Sequence, residues 1–127
     1  MQLHAERFPL AITECAPGHI VWAGQRLTRS VLLRSWIDAP QHWGGAGFDG
    51  LGAEDFALLA EGQPDVVLFG SGGRLRFPPQ PWLAPLAQAG ISLETMSTAA
   101  ACRTWNVLAG EGRRVAAALL LDAALQL

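Results

Sequence analysis

Residues 65–81, DVVLFGSGGRLRFPPQP, open the half of the chain that decides the fold. The apolar run Val66–Phe69 predicts a buried strand, and the glycines in 70–73 predict a sharp exit from it. A dinucleotide-binding loop would lead directly into a helix, but residues 74–79 are extended and broken by proline. A Walker loop needs a lysine, and the chain has none. The sequence therefore favours a tight turn, although its successive backbone N–H groups could still form a small anion nest.

From residue 53 onward, helical and strand patterns alternate. AEDFALLAEG (53–62), PWLAPLAQAG (81–90) and STAAACRTWNVLAG (97–110) predict helices, and ISLE (91–94) predicts a second strand. RVAAALLL (114–121) is ambiguous, because alanine and leucine prefer helices while an unbroken apolar run also suits a strand buried on both faces. Its place in an alternating segment, just after a glycine-rich turn, favours a strand.

The N-terminal half has a different pattern, in which short strand-like segments are separated by turns. LAITEC (10–15) and HIVWA (19–23) flank a Pro-Gly turn, and RLTRSVLLR (26–34) follows, so residues 10–34 read as an antiparallel β-meander. Residues 37–52 carry five glycines and one proline, and we expect a loop there, either a lid or a surface crossing. The predicted fold class is α/β, a meander followed by a βαβαβ-like unit around a mixed sheet.

Composition limits the function classes. A chain of 127 residues, 50% hydrophobic and 16% charged, predicts one globular domain over residues 1–127. Its apolar runs are shorter than the roughly 20 residues of a membrane-spanning helix, and the first residues lack a signal-peptide pattern. We therefore expect a cytoplasmic protein without a transmembrane segment, a monomer or weak homodimer. A net charge of −2 without a dense basic patch argues against nucleic-acid binding.

The residue types that bind metals are scattered along the chain. Cys15 and Cys102 are far apart, and His4, His19 and His42 show no paired ligand spacing. A free cysteine that stays reduced is commonly a small buried hydrophobe. The sequence predicts neither a metal site nor a cofactor.

Polar groups are expected to gather where two strands end. If the strands at 66–69 and 91–94 are parallel, their exits share one edge of the sheet, which is where open α/β sheets place ligands. The helix at 97–110 begins beside that edge, with Ser97 or Thr98 as its N-cap and its first N–H groups facing outward. The candidate pocket is therefore lined by Gly70, Ser71, Gly72, Gly73, Ser97 and Thr98.

The same helix carries two further candidates. Ala101, Trp105 and Leu108 form its core-facing stripe, and Arg103 and Asn106 lie off that stripe three residues apart. Arg103 could hold an anion with Asn106 beside it. Alternatively, Arg103 pairs with Glu94 or Glu111, and Asn106 fastens a neighbouring loop. Glu94 is the best acid/base candidate, although a lone carboxylate defines no catalytic site.

The C-terminal half resembles a known family. LFGSGG (68–73) and ISLETMSTAAACRTWNVLAGEGRRVAAALL (91–120) are similar to a small α/β domain family that includes mitochondrial respiratory complex I assembly factor 3, the adipogenesis-associated domain protein and many uncharacterised bacterial proteins. The matching positions are Gly70-x-Gly72, Glu94-x-Met96-x-Thr98, Ala101, Arg103-Thr104-x-Asn106-x-Leu108 and Glu111-Gly112-Arg113-x-Val115-Ala116. Ser97 stands where bacterial members often have Asp, and Trp105 stands where they usually have Tyr.

The resemblance implies a three-layer fold with a mixed central sheet, helices packed on it and an additional β layer from the N-terminal half. It implies no established enzyme activity and no cofactor. For the mitochondrial member it implies help in assembling a membrane complex through protein contacts.

Two functions follow from these observations. The first is a non-catalytic interaction or assembly protein whose protein partner contacts Trp36, Trp43 or Trp82, unless these residues belong to the core. The second is binding of a small anion or metabolite in the cleft between residues 70–73 and the helix near Ser97, as an unrecognised enzyme if Glu94 acts on the ligand.

Overall fold

The computed structural model describes residues 8–121, which form two β-sheets and three α-helices. The smaller sheet is antiparallel, in the order β1-β2-β3. The larger sheet has the order β5-β4-β8-β6-β7, in which β4 is antiparallel to both neighbours and β8, β6 and β7 are parallel. The strands are β1 Ile12–Ala16, β2 His19–Trp22, β3 Gln25–Leu27, β4 Val31–Arg34, β5 Ile37–His42, β6 Val66–Gly70, β7 Ser92–Met96 and β8 Val115–Leu119. The helices are α1 Ala53–Ala57, α2 Ala84–Gln88 and α3 Thr98–Gly110, with 3₁₀ turns at Phe48–Gly50, Leu58–Ala60 and Gln80–Leu83.

The ambiguous apolar run near the C-terminus is a strand, as the sequence analysis favours. β8 lies between β4 and β6 at the centre of the larger sheet, and all five of its residues are buried. A strand covered on both faces has no polar side, which explains its unbroken apolar sequence. The prediction of a strand within residues 114–121 is confirmed.

Each face of the larger sheet has its own cover. On one face, α3 and the smaller sheet enclose a core that includes Trp105, Trp22 and Ile12. On the other face, α1, α2 and the 3₁₀ turns enclose a core that includes Phe56, Phe69 and Leu86. The α/β fold with a mixed sheet, packed helices and an additional antiparallel sheet is therefore confirmed.

Two details of the predicted N-terminal half are wrong. The predicted loop at 37–52 begins with a strand, since β5 occupies residues 37–42 at the edge of the larger sheet. β5 is mostly exposed and contains Pro40, which an edge strand tolerates, so it lacks the apolar alternation that identifies buried strands. The segment 26–34 is also two elements: β3 completes the smaller sheet, while β4 joins the larger sheet beside β8.

Within residues 8–121, no helix is both long enough and apolar enough to cross a membrane.

Candidate functional site

The glycine loop and the start of α3 lie side by side at one edge of the larger sheet. β6 and β7 are parallel and in register from Val66 and Ser92 to Gly70 and Met96, so both strands end together. Ser97 caps α3, its hydroxyl accepting a hydrogen bond from the backbone N–H of Ala100 at 3.3 Å. The alternation of strand and helix in the sequence predicts a parallel pairing that brings the two segments together, and the structure confirms that pairing.

Direct hydrogen bonds close the junction between the loop and the helix. The hydroxyl of Thr98 accepts the backbone N–H of Gly72 at 2.9 Å and donates to the carbonyl of Leu120 at 2.7 Å. The backbone N–H of Thr98 donates to the carbonyl of Gly72, and that of Leu120 donates to the carbonyl of Gly70, both at 2.9 Å. One buried threonine therefore connects the glycine loop, the helix and the end of β8.

Close approach explains why residue 70 is glycine. A Cβ atom there would lie 2.9 Å from the Cα and from the Oγ1 of Thr98, and 3.0 Å from Leu119. Real Cβ atoms essentially never come within 3.0 Å of backbone, so a side chain at this position would force a shift between the start of α3 and the strand exit. The first glycine of the loop lets the helix pack directly on the strand exit.

Several of the backbone donors that an anion could use at this junction are engaged inside the protein. The N–H of Ser71 donates to the carbonyl of Met96 at 2.9 Å, and the N–H of Gly72 donates to Thr98. Ser71 itself is fully buried. An anion there must compete with these contacts, so ligand binding by Gly70–Gly73, Ser97 and Thr98 stays a prediction.

Asn106 has the fastening role that the sequence analysis gives as the alternative to ligand binding. Its Oδ1 accepts the backbone N–H of Ile12 and its Nδ2 donates to the carbonyl of Ile12, each at 2.8 Å. Asn106 lies eight residues beyond Thr98, about 12 Å along the helix axis. It therefore binds β1 and lies too far from the helix N-terminus to share one small ligand with it.

Arg103 and Glu94, the other two predicted site residues, are both exposed. Glu94 belongs to β7, one of the two edge strands of the larger sheet, and pairs with Leu68 in register. Arg103 is on α3, five residues after Thr98. Their predicted roles, acid or base for Glu94 and anion binding for Arg103, stay predictions.

Substitution of Asn106 by alanine is expected to reduce the free energy of unfolding by about 2–3 kcal/mol, because it leaves the N–H and C=O of Ile12 without partners. Ile12 is fully buried, so water does not replace the lost bonds. Urea denaturation measures the change. Val107→Ala on the exposed side of the same helix is the matched control and should stay within about 0.5 kcal/mol of wild type. Equal stability of the two variants would contradict the role assigned to Asn106.

The two cysteines meet between β1 and α3. The hydrogen bond with Cys102 lowers the pKa of Cys15 to about 7, while burial acts in the opposite direction. The same hydrogen bond, together with burial, raises the pKa of Cys102. Both thiols belong to the apolar core, with exposures of 5% and 0%. Because burial restricts the access of any reagent, we assign both cysteines to packing.

The three tryptophans proposed as partner anchors are packed against the protein. Trp43 is 3% exposed and donates its indole N–H to the carbonyl of Asp55 at 2.9 Å. Trp82 is half-buried against Phe48 and Phe56, with ring centroids 5.8 Å away in each case. Trp36 is half-buried, and the Arg114 guanidinium lies 3.9 Å from its ring centroid. Trp43 is therefore a core residue, and Trp36 and Trp82 serve mainly in packing.

Leu75 and Phe77 are the exposed apolar residues that the sequence analysis misses. They lie in the segment 71–79, which we call the Ser71–Pro79 loop, and are 55% and 68% exposed. Arg76 between them is half-buried, so the two exposed apolar side chains flank a residue that packs against the protein. The signal in the sequence is an apolar pair within RLRFPP, outside any helix or strand pattern.

Hydrogen bonds fix this loop at its base. The Ser71 hydroxyl donates to the carbonyl of Arg74 at 2.6 Å and accepts the N–H of Arg76 at 3.0 Å. The Arg76 guanidinium donates to the carbonyl of Ser71 at 2.9 Å and lies 4.8 Å from the ring centroid of Phe48. Pro78 at the far end is buried. The loop therefore holds Leu75 and Phe77 in a defined position.

The sequence from residue 12 to residue 120 matches the family described as "Protein of unknown function (DUF498/DUF598)". The chain belongs to this family. An uncharacterised protein of Rhodobacter capsulatus is 40% identical over 111 residues, which cover 87% of this chain and 84% of that protein. The resemblance to a small α/β family with uncharacterised bacterial members is confirmed, and the family description assigns no function.

Solved structures show the same fold. A crystal structure of a Bordetella parapertussis protein has a TM-score of 0.81 at 29% identity, over 88% of this chain and 95% of that one. A crystal structure described as an outer membrane protein from Bartonella henselae has a TM-score of 0.69 at 31% identity, over 91% of this chain and 99% of that one. These likenesses extend over nearly the whole of each chain.

Proposed function

We propose that this member of the family is a non-catalytic cytoplasmic protein that binds a protein partner, in the manner of an assembly factor, through the Ser71–Pro79 loop. The observation that carries the proposal is the exposure of Leu75 and Phe77, two residues apart, on a loop fixed by Ser71 and Arg76. Single exposed apolar residues are common, whereas a paired apolar surface on an ordered loop suits a binding site.

Prior ordering of the loop favours binding. Association costs roughly 0.5–1.5 kcal/mol for each flexible side chain that it immobilises, and a flexible loop adds its own ordering cost. The contacts of Ser71 and Arg76 fix the backbone before a partner arrives. More of the apolar burial of Leu75 and Phe77 then contributes to affinity.

The chemistry of the loop indicates the kind of partner surface. Arg74 is exposed beside the apolar pair, and arginine and aromatic residues are enriched at the centres of protein interfaces. We expect an apolar groove bordered by carboxylates on the partner. The protein itself acts as a monomer or weak homodimer in this proposal.

Cross-linked affinity purification from the native host tests the proposal. We expect the wild-type protein to recover one specific partner reproducibly, and a Leu75→Ser/Phe77→Ser variant to recover much less of it. Because a similar protein is described as an outer membrane protein, co-sedimentation with vesicles of mixed neutral and anionic lipid is the second arm. Loss of vesicle binding in the double variant, without any specific protein partner, would replace the proposed partner by a lipid surface.

A further inference from the structure

A groove separate from the Ser71–Pro79 loop lies where the chain passes from the smaller sheet to the larger one. β3 is one edge strand of the smaller sheet, and β5 is one edge strand of the larger sheet. Residues 28–30 connect β3 to β4, and β5 pairs with β4 through Val31 and His42. The space between the two edges is a groove of about 220 Å³.

The walls of the groove are basic and rich in hydrogen-bond donors. Arg26, Arg29, Thr28 and His42 line it, and the described lining contains no carboxylate. An arginine guanidinium is a permanent cation with five N–H donors, so two of them offer a strong field and several hydrogen bonds to an oxyanion. The protein as a whole carries a net charge of −2, whereas the lining of this groove is positively charged.

The nearest acid on the smaller sheet is committed elsewhere. Glu14 lies two strands from Arg26, on the far side of Val21 in the β1-β2-β3 register, about 10 Å away. Its carboxylate contacts the His19 ring at 2.6 Å, and this hydrogen bond holds the pKa of Glu14 below its ordinary value. The charge of Arg26 also lowers the pKa of Glu14, although the carboxylate makes its hydrogen bond to His19 and forms no ion pair with Arg26 within 4 Å. The Arg26 guanidinium can therefore still contact a ligand in the groove.

The floor of the groove selects the size and shape of a ligand. Leu27, Val31 and Pro40 supply apolar surface between the basic walls. Sites that enclose drug-sized ligands measure roughly 300–1,000 Å³, so this smaller groove suits a compact molecule. Val31 is also in register with Leu119 and, through it, with Gly70, which places the groove near the edge where the parallel strands end.

We propose that this groove binds a small soluble organic anion, a phosphate or carboxylate on a short apolar body. Arg26 and Arg29 hold the charged group, and the apolar floor receives the rest of the molecule. Thr28 and His42 add hydrogen bonds that orient the anion. This site is independent of the partner-binding loop, so either proposal can fail while the other stands.

Nuclear magnetic resonance titration tests the site. Inorganic phosphate and butyl phosphate are added separately at equal ionic strength, with chloride as the reference salt. We expect shifts of the backbone amides within residues 26–31 and 41–42, and tighter binding of butyl phosphate than of inorganic phosphate because of the apolar floor. Absence of localised shifts, or equal affinity for both phosphates, would overturn the proposal.

Arginine-to-glutamine variants show which side chains contribute to the affinity for butyl phosphate. Arg26→Gln and Arg29→Gln are each expected to weaken butyl phosphate binding by about threefold to tenfold, the modest range of partly exposed charge pairs. Arg113→Gln removes the same charge from an exposed position in the turn after α3, and it should bind as wild type. Equal effects of all three substitutions would show non-specific attraction. Loss of binding in Arg103→Gln alone would place the anion at the glycine loop instead.

Vesicles distinguish a free anion from a lipid headgroup, which presents the same phosphate chemistry. The vesicles are added at the phosphate concentration at which butyl phosphate half-saturates the groove. We expect phosphatidic acid vesicles at this concentration to leave the amide resonances of residues 26–31 and 41–42 unchanged. A response to the vesicles without a response to butyl phosphate would contradict the soluble ligand proposed here.

Discussion

Replacement of both Leu75 and Phe77 by serine is expected to weaken partner binding by about twentyfold or more. Full burial of a leucine or phenylalanine side chain contributes about 1.5–3 kcal/mol, and each factor of ten in affinity corresponds to about 1.4 kcal/mol. The two side chains are 55% and 68% exposed in the free protein, so roughly half of that contribution or more is still available to a partner. Titration of the purified partner measures the dissociation constants.

Two further variants make this result specific. Val107 is 58% exposed on α3, away from the loop, and Val107→Ser should leave binding unchanged. Arg74→Glu should weaken binding to a partner whose groove is bordered by carboxylates, and its effect should shrink at high salt. The thermal unfolding midpoint of the double variant should match that of wild type, since both side chains are on the surface. A stable double variant with undiminished affinity would contradict the proposed role of the loop.

Thr98→Val is expected to be the most destabilising of the conservative substitutions at the glycine loop junction, with a loss of about 3 kcal/mol. Valine has nearly the shape of threonine but cannot accept from Gly72 or donate to Leu120, and each stranded buried group costs about 1–3 kcal/mol. In a chain of this size we expect the unfolding midpoint to fall by about 10 °C. Calorimetry or urea denaturation measures the loss.

Matched substitutions separate the hydroxyl from packing. Thr98→Ser keeps the hydroxyl and should cost about 1 kcal/mol or less, the effect of one methyl group. Gly70→Ala keeps every hydrogen-bonding group but places a Cβ atom 2.9 Å from the Thr98 Cα, and overpacking of this kind costs about 1–3 kcal/mol. If Thr98→Val were as stable as Thr98→Ser, the hydrogen bonds of the Thr98 hydroxyl would contribute little to the free energy of unfolding.

Local sequence patterns predict the C-terminal half of the fold well. The residues of β6, β7 and α3 themselves predict these elements. β6 is an apolar run, β7 is a short segment between two helical patterns, and α3 has an N-cap and a buried stripe. Parallel pairing then follows from the alternation of helix and strand, and it places the Gly70 exit beside the start of α3. For the same reason, β8 could be recognised as a strand despite its alanines and leucines.

The rest depends on contacts that are distant in sequence. β5 is stabilised by pairing with β4 and has no buried face of its own, so its sequence resembles a loop. Asn106 finds its partner 94 residues away in Ile12, and no spacing rule could distinguish that role from ligand binding. The exposure of Leu75 and Phe77 likewise depends on how Ser71 and Arg76 fold the loop.

The function proposed for this family member depends on what contacts Phe77 in the cell. A photo-reactive phenylalanine analogue placed at position 77 and activated in living host cells measures this directly, with the same analogue at position 107 as the control. We expect position 77 to cross-link to one protein reproducibly and position 107 not to do so. The same set of cross-linked proteins from both positions, or only lipid at position 77, would contradict it.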